Sequence, residues 1–353
     1  MRSGARVVRV GLVGLVALCA AALLARAFRA VDLRATLRAV MDVGPLAPVA
    51  LLPFMVAMVL DAAGIRLILR PLGRSVSLAR LLPIRIATEA LHVTAPAGFV
   101  VADSATASLL DTQCGVPVGE GAVLAVARKW LVMRAHAAYI ALGAVCGATV
   151  LTSVSVRFLG GRWLAWAVCA SALIPLSLSL GLGAGFRGRA GLARLLGAVA
   201  RIPVRGIRQH VSQWRAGAVA VDGHLARIGA ARSSSWLAAA AFFGCWLLES
   251  LETAVIVRLV GGPLDLAVAM AAEVGISLVR SIGNVAPAGL GVQEASYVTL
   301  LPAMGVPMDT AAAFMLLKRG KELAWIAIGY SLLGAMRRSE TVRCARAGEL
   351  AKI

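Results

Sequence analysis

Ala286-Pro287-Ala288-Gly289-Leu290-Gly291-Val292-Gln293-Glu294 decides the fold, because the chain has already written Ala95-Pro96-Ala97-Gly98 and placed Asp103 where Glu294 falls. The offset between the two stretches is 191 residues (286 − 95), and matches continue on both sides. Downstream, Leu109-Leu110 answers Leu300-Leu301. After a one-residue slip, Gly115-Val116-Pro117 answers Gly305-Val306-Pro307 and Arg128-Lys129 answers Lys318-Arg319. Upstream, at an offset of 188 residues, Leu60-Asp61 answers Leu248-Glu249, Arg70 answers Arg258 and Gly73 answers Gly261. Chance supplies any one of these matches. Ordered matches over about a hundred residues, with little drift in offset, mark an internal repeat. The chain is a duplicated unit with additions.

Composition sets the class of that unit. The 353 residues are 60% hydrophobic and 15% charged, with mean hydropathy +0.85, against about 45–50% apolar for a soluble domain. This is an all-α polytopic membrane protein. Its net charge of +19 would suggest nucleic acid in a soluble chain. Here the arginines lie between apolar stretches, where they set orientation and meet anionic headgroups, so no nucleic-acid partner is expected. The six cysteines form no CxxC pair and read as small core fillers rather than metal ligands or disulfides.

Taken in order, Arg2, Arg6 and Arg9 precede an apolar run at 10–25, read as an uncleaved first helix despite its likeness to a signal peptide. Together with the basic connection that follows, it makes an N-terminal unit, 1–45. Repeat A, 46–150, opens with an apolar run at 46–69 that is long enough to cross a hydrocarbon layer of about 30 Å. Asp61 lies inside that run. It either faces protein or water, since a charge costs about 2.5–3.5 kcal/mol at the centre of a span, or sits near the helix end and pairs with Arg66. Arg66, Arg70, Arg74, Arg80 and Arg85 form a belt that the positive-inside rule places in the cytoplasm.

Two short apolar arms, 78–93 and 99–110, flank Pro96. They read as a re-entrant hairpin whose broken backbone lines a cavity. Residues 122–150 and 164–181 read as spans. A linking unit, 151–235, ends in a segment from Arg187 to Arg232 with nine arginines against one acid, Asp222, read as amphipathic helix on anionic lipid or as an ordinary positive-inside loop. Repeat B, 236–336, holds a span at 236–257 with Glu249 and Glu252, a second hairpin around Pro287, and a last span at 313–336. A basic tail, 337–353, follows.

Crossings counted this way make the two repeats inverted, with both termini cytoplasmic in a bacterial-type inner membrane. Gly115 and Arg205 are expected inside, Gly262 and Gly305 outside. Inverted repeats with broken helices near the midplane are the architecture of alternating-access carriers.

The second hairpin, Asn284 to Ala295, followed by Leu300-Leu301, Gly305-Val306-Pro307 and a basic apolar helix, resembles the flippase-like membrane proteins. That family includes the transmembrane region of lysylphosphatidylglycerol synthase and relatives linked to hopanoid gene sets. Its second hairpin usually carries an Asn, a Pro, a Gly-Gly-Leu-Gly run and Arg-Glu. This chain keeps Asn284, Pro287, Gly289, Gly291 and Glu294, but has Ala288 and Gln293 where glycine and arginine are usual. The resemblance implies transport or handling of an amphipathic phospho- or isoprenoid-type lipid, without aminoacyl transfer and with lipid-biosynthesis enzymes as partners. A membrane-embedded lipid-modifying enzyme and a structural partner of a biosynthetic complex remain the alternatives. No HExxH, no cluster of metal-binding acids and no nucleophile–base pair is found, so neither catalytic residues nor a cofactor is expected.

The candidate transport residues gather at the hairpins and the helices facing them. Pro96 and Pro287 break helices, while Gly98, Gly289 and Gly291 permit close approach and leave N–H groups at a helix start suited to an anion. Asn284 is a cap for the broken helix or a substrate ligand; His92 is a packed polar residue or a proton relay. Glu89, Asp103 and Glu294 are intramembrane acids, with Arg128, Lys129, Lys318, Arg319 and Lys321 as counter-charges and Glu322 beside them. Lys318 and Lys321 share a face and are expected to meet Glu294. These charges either clamp the hairpins or serve a headgroup or proton path.

Overall fold

The computed structural model describes residues 32–95, 97–187, 219–263, 265–283 and 292–350. The first helix at 10–25, most of the Arg187 to Arg232 segment including Arg205, Pro96, and the second tip with Asn284, Pro287, Gly289 and Gly291 lie outside them. The described residues form helices and no strand. In chain order these are α1 (Leu33–Val43), α2 (Leu52–Leu69), α3 (Leu78–Thr94), α4 (Gly98–Cys114), α5 (Val118–Cys146), α6 (Ala148–Leu159), α7 (Leu164–Ser171), α8 (Leu173–Arg187), α9 (219–230), α10 (Arg232–Leu259), α11 (Leu266–Gly283), α12 (Val292–Ala303) and α13 (Met308–Leu350). The apolar stretches Arg34–Leu72, Leu164–Ala184 and Arg232–Leu259 are each long enough to cross a membrane. The basic tail continues α13 rather than leaving it.

The matched helices α2 and α10 pack along one another, the most extensive helix pair among the described residues. A Cβ on Gly64 would run into Phe242, one on Gly244 would meet Leu60, and the Cys245 thiol donates to the Ala57 carbonyl at 3.3 Å. Numbering falls along α2 as it rises along α10, so these equivalent helices run antiparallel. The burial pattern agrees. Ala50, just before α2, shares a core cluster with Val257 near the end of α10, whereas Ile68 near the end of α2 shares another with Ala238.

Matched positions of the sequence close their helices with similar bonds. After α2, Gly73 donates to the Arg70 carbonyl (2.9 Å) and Arg74 to that of Leu69 (3.2 Å). After α10, at the same 188-residue offset, Gly261 donates to Arg258 (3.1 Å) and Gly262 to Val257 (2.9 Å). Both turns need a positive φ, 78° at Gly73 and 80° at Gly261, which glycine adopts without a Cβ penalty. The hairpin arms close alike: Val116 donates to Leu110 (3.1 Å) and Val306 to Leu301 (3.0 Å), and both valines are buried.

One element departs from the expected spans. The apolar run at 122–150 is not one helix: α5 and α6 meet at Gly147 with a bend of 73°. Gly143 and Gly147 lie against α11, where a Cβ would come within 2.5 Å of Val274 Cγ1 and Ala271 Cβ respectively. This is small-residue packing at a spacing of four, which lets helices approach closely in lipid. The run at 164–181 is long and apolar enough to cross as expected, with α7 giving way to α8 at Ala172, whose backbone stays helical.

Outside the helices, Arg74 grips Glu120 in the first turn of α5 through two bonds of 2.8 Å. The bonds from Arg74 hold the Glu120 carboxyl below its ordinary range. The same fork ties the turn after α2 to the turn before α5, so both occupy one face. At the opposite end the Asp32 N–H donates to the Asp309 carboxylate at 2.9 Å, joining α1 to the start of α13.

Candidate functional site

Each copy places ionised side chains deep between its helices. In the first, α2 contributes Asp61, which is buried and accepts from Arg85 of α3 (2.9 Å) and Arg128 of α5 (3.0 and 2.5 Å). Arg85 also donates to Glu89, one turn along α3, at 2.5 Å. Arg66 does not hold Asp61. Residues five apart on a helix differ by about 140° around the axis, so the two never share a face. Arg85, read from sequence as part of the cytoplasmic belt, is instead a buried member of this network. Lys129 of α5 reaches Asp103 of α4 at 2.5 Å and lies 4.8 Å over the ring of Phe99. The first hairpin is thereby fastened to the helix that follows it.

The second copy repeats the fastening. Arg319 of α13 bonds Glu294 of α12, at the positions that answer Lys129 and Asp103. It bonds Glu322 of its own helix as well. The expected contact of Lys318 and Lys321 with Glu294 is therefore corrected: Arg319 takes that carboxylate, and the two lysines turn toward α10 and α11. Lys321 donates to Glu252 at 2.7 Å and lies 4.6 Å over Phe54 of α2. Lys318 lies 3.6 Å from Glu252 and 3.3 Å from Glu273, and donates to the Tyr297 hydroxyl at 2.7 Å. Glu273 accepts from Tyr297 (2.8 Å) and from Thr253. Glu252, Glu273, Lys318 and Lys321 are 3%, 2%, 5% and 7% exposed, so the whole group is shielded from solvent.

Sequence reasoning missed Glu273, Tyr297 and Thr253. The signal for Glu273 was present: it stands 188 residues after Arg85, but with opposite charge, and a search for like residues passes over it. Between the copies, His136 of α5 stacks on Trp246 at 4.1 Å and bonds Ser277 of α11 at 2.8 Å, and Tyr139 bonds Ser250 of α10 at 2.6 Å. Gln293 is half-buried beside Glu294, while His92 is exposed.

At the first tip, Ala97 has φ 51°, and it is the one non-glycine residue with positive φ among the described residues. The next residue tolerates no side chain, because a Cβ on Gly98 would collide with the His92 carbonyl oxygen. Glycine is required there for the arms to close.

The cavity expected at the hairpin tips falls largely outside the described residues, and two openings are found elsewhere. An opening of about 430 Å³ lies between Arg80 and Pro83 of α3, Gln113 of α4 and Met336 of α13. A groove of about 610 Å³ runs along α6, lined by Thr149, Thr152, Arg157 and Arg162. Neither is lined by the buried charges, whose polar atoms are engaged with one another. Among the described residues no group of three or more His, Cys, Asp or Glu side chains is placed to hold a metal ion.

Compared with known proteins, residues 7–329 match the family described as lysylphosphatidylglycerol synthase TM region. No curated protein and no solved structure matches the chain.

Proposed function

We propose, from the premise that this chain belongs to the family of the lysylphosphatidylglycerol synthase TM region, that it moves an amphipathic phospho- or isoprenoid-type lipid between membrane leaflets by alternating access. The observation that carries this reading is the repeated fastening of a hairpin arm to the next helix, Lys129 to Asp103 and Arg319 to Glu294. Ionised groups inside a span are costly and mark the path of a polar group. Fastened alike in both copies, the two hairpins are the elements that open and close.

The antiparallel course of α2 and α10 supports an inverted repeat, the arrangement in which one half rocks against the other around a central site. Arg74 beside Glu120 and Asp32 beside Asp309 support the same topology: residues 74 and 120 face the cytoplasm and residues 32 and 309 face outward. The buried charges are closed off in the state described, and the Arg80 opening is the vestibule on the cytoplasmic side. In this reading the protein resides in a bacterial-type inner membrane with both termini inside, the basic segment from Arg187 to Arg232 meets anionic headgroups, and lipid-biosynthesis enzymes supply or consume the lipid. No bond of the lipid is made or broken.

Purified protein in liposomes bearing a fluorescent phospholipid tests the reading with a membrane-impermeant reductant. Lipid movement brings inner-leaflet probe into reach, so bleaching passes the outer-leaflet share. Bleaching that stops at the share found in protein-free liposomes contradicts it.

A further inference from the structure

The two charge networks occupy similar places but differ, beyond the reversal of charge at Arg85 and Glu273, in which of their cations can give up a proton. The first is built on arginines: Asp61 is held by Arg85 and Arg128. A guanidinium keeps its proton at every accessible pH. The second is built on lysines and a tyrosine, groups that can give up a proton. Its centre is a closed set of donors and acceptors, in which Lys318 Nζ also reaches Glu273 Oε1 directly at 3.3 Å. Lys318 Nζ donates to Tyr297 Oη at 2.7 Å, and Tyr297 Oη donates to Glu273 Oε1 at 2.8 Å. At the other end Lys318 lies 3.6 Å from Glu252, which Lys321 holds.

The geometry points to a proton relay from Lys318 through Tyr297 to Glu273 that couples lipid movement to proton transfer across the membrane, while the arginine network of the first copy is its fixed counterpart. This rests on the transport reading above. The step is a paired transfer. An ammonium proton passes from Lys318 to the tyrosine oxygen as the tyrosine's own proton passes to the Glu273 carboxylate. It leaves a neutral amine, an unchanged tyrosine and a neutral carboxylic acid. Water reached on one face of the membrane returns a proton to Lys318, and water reached on the other takes one from Glu273.

Charged and titratable groups surround the relay: Glu249 and Glu252 from α10 and Tyr139 from α5 act on it, Lys321 holds Glu252, and beside it Arg319 holds Glu294 and Glu322 while His136 of α5 bonds Ser277. Tyr297 is the movable link. It stands three residues after Glu294 on the hairpin arm, one turn along the same face, so an arm that lets go of Arg319 carries the phenol away from Lys318. The path through the phenol is thus made in one state of the hairpin and broken in the other, which leaves only the longer direct contact of Lys318 with Glu273.

The test uses liposomes holding the full chain, a fluorescent phospholipid and a trapped pH dye, with and without a proton gradient. One proton per lipid predicts that a gradient of about one pH unit biases the lipid between leaflets about tenfold, with matching dye response. Tyr297→Phe keeps the ring edge against Phe314 but removes the relay hydroxyl, and Lys318→Arg keeps the cation but not its exchangeable proton; both are expected to lose the bias. Infrared difference spectra between acid and alkaline pH should contain one carboxylic acid band that Glu273→Gln removes. Lipid movement that ignores the gradient, or spectra without a Glu273-dependent band, overturns the relay and leaves transport standing. Absence of lipid movement under every gradient overturns transport, and the Glu273 band then decides the relay alone.

Discussion

Asp61→Asn is expected to lower the stability of the protein in detergent by about 3–5 kcal/mol, the cost of breaking a buried ion pair and stranding its partner. Asp61 holds both Arg85 and Arg128, and neither guanidinium can escape by losing its proton. Arg85 keeps Glu89. Arg128 is left with the ring of Phe242 at 5.6 Å, a much weaker partner. Adding Arg128→Met removes the stranded charge, so the double variant should recover most of the loss. Thermal unfolding of the two single variants and the double variant measures the coupling directly. Equal stability in Asp61→Asn and the parent would mean that Asp61 is hydrated rather than enclosed.

Arg319→Glu has the largest effect expected in the second copy. It places a third carboxylate between Glu294 and Glu322, both of which Arg319 now holds. The loss is about 3 kcal/mol, the low end for a buried pair because these side chains remain partly exposed, and lipid movement should fall below detection. Combining it with Glu294→Arg returns the same set of charges in exchanged places, and both stability and movement should be restored in large part. Glu294→Gln behaves differently. Arg319 retains Glu322, so the melting temperature changes little, yet the hairpin arm is released and lipid movement drops at least tenfold. Failure of the exchange to recover anything, with the single variants as stated, would show that position 319 acts through shape rather than charge.

The matched stretches were legible because their markers, Pro96 with Gly98 and Pro287 with Gly289, are residues whose backbone demands leave few substitutes. The residues of the fastening pairs were legible for the same reason, since Asp103 and Lys129 recur in kind as Glu294 and Arg319, but the pairing of Arg319 with Glu294 was not. What stayed hidden depends on three dimensions. Which acid a lysine meets is set by helix rotation and by which neighbour crosses at that depth, so Lys318 and Lys321 were matched to Glu294 when their partners stand on α10 and α11. Glu273 was concealed by the reversal of charge against Arg85. The bend at Gly147 was concealed by the apolar continuity of its run, although Gly143 and Gly147 carried the spacing of a close helix contact. In each case the residue types announced a buried role, and only packing assigned the partner.

Everything proposed about mechanism rests on the two copies being inverted in the membrane, and Gly115 and Gly305 test that most directly. They are equivalent residues of the repeat, both in left-handed turns (φ 67° and 94°) and both with open space where a Cβ would stand. A cysteine therefore meets the same backbone cost and the same freedom from clashes at either site. In a variant without other cysteines, Gly115→Cys should be reached by an impermeant maleimide only from the cytoplasmic side, and Gly305→Cys only from outside. Labelling of both from the same side would make the repeats parallel and contradict the account.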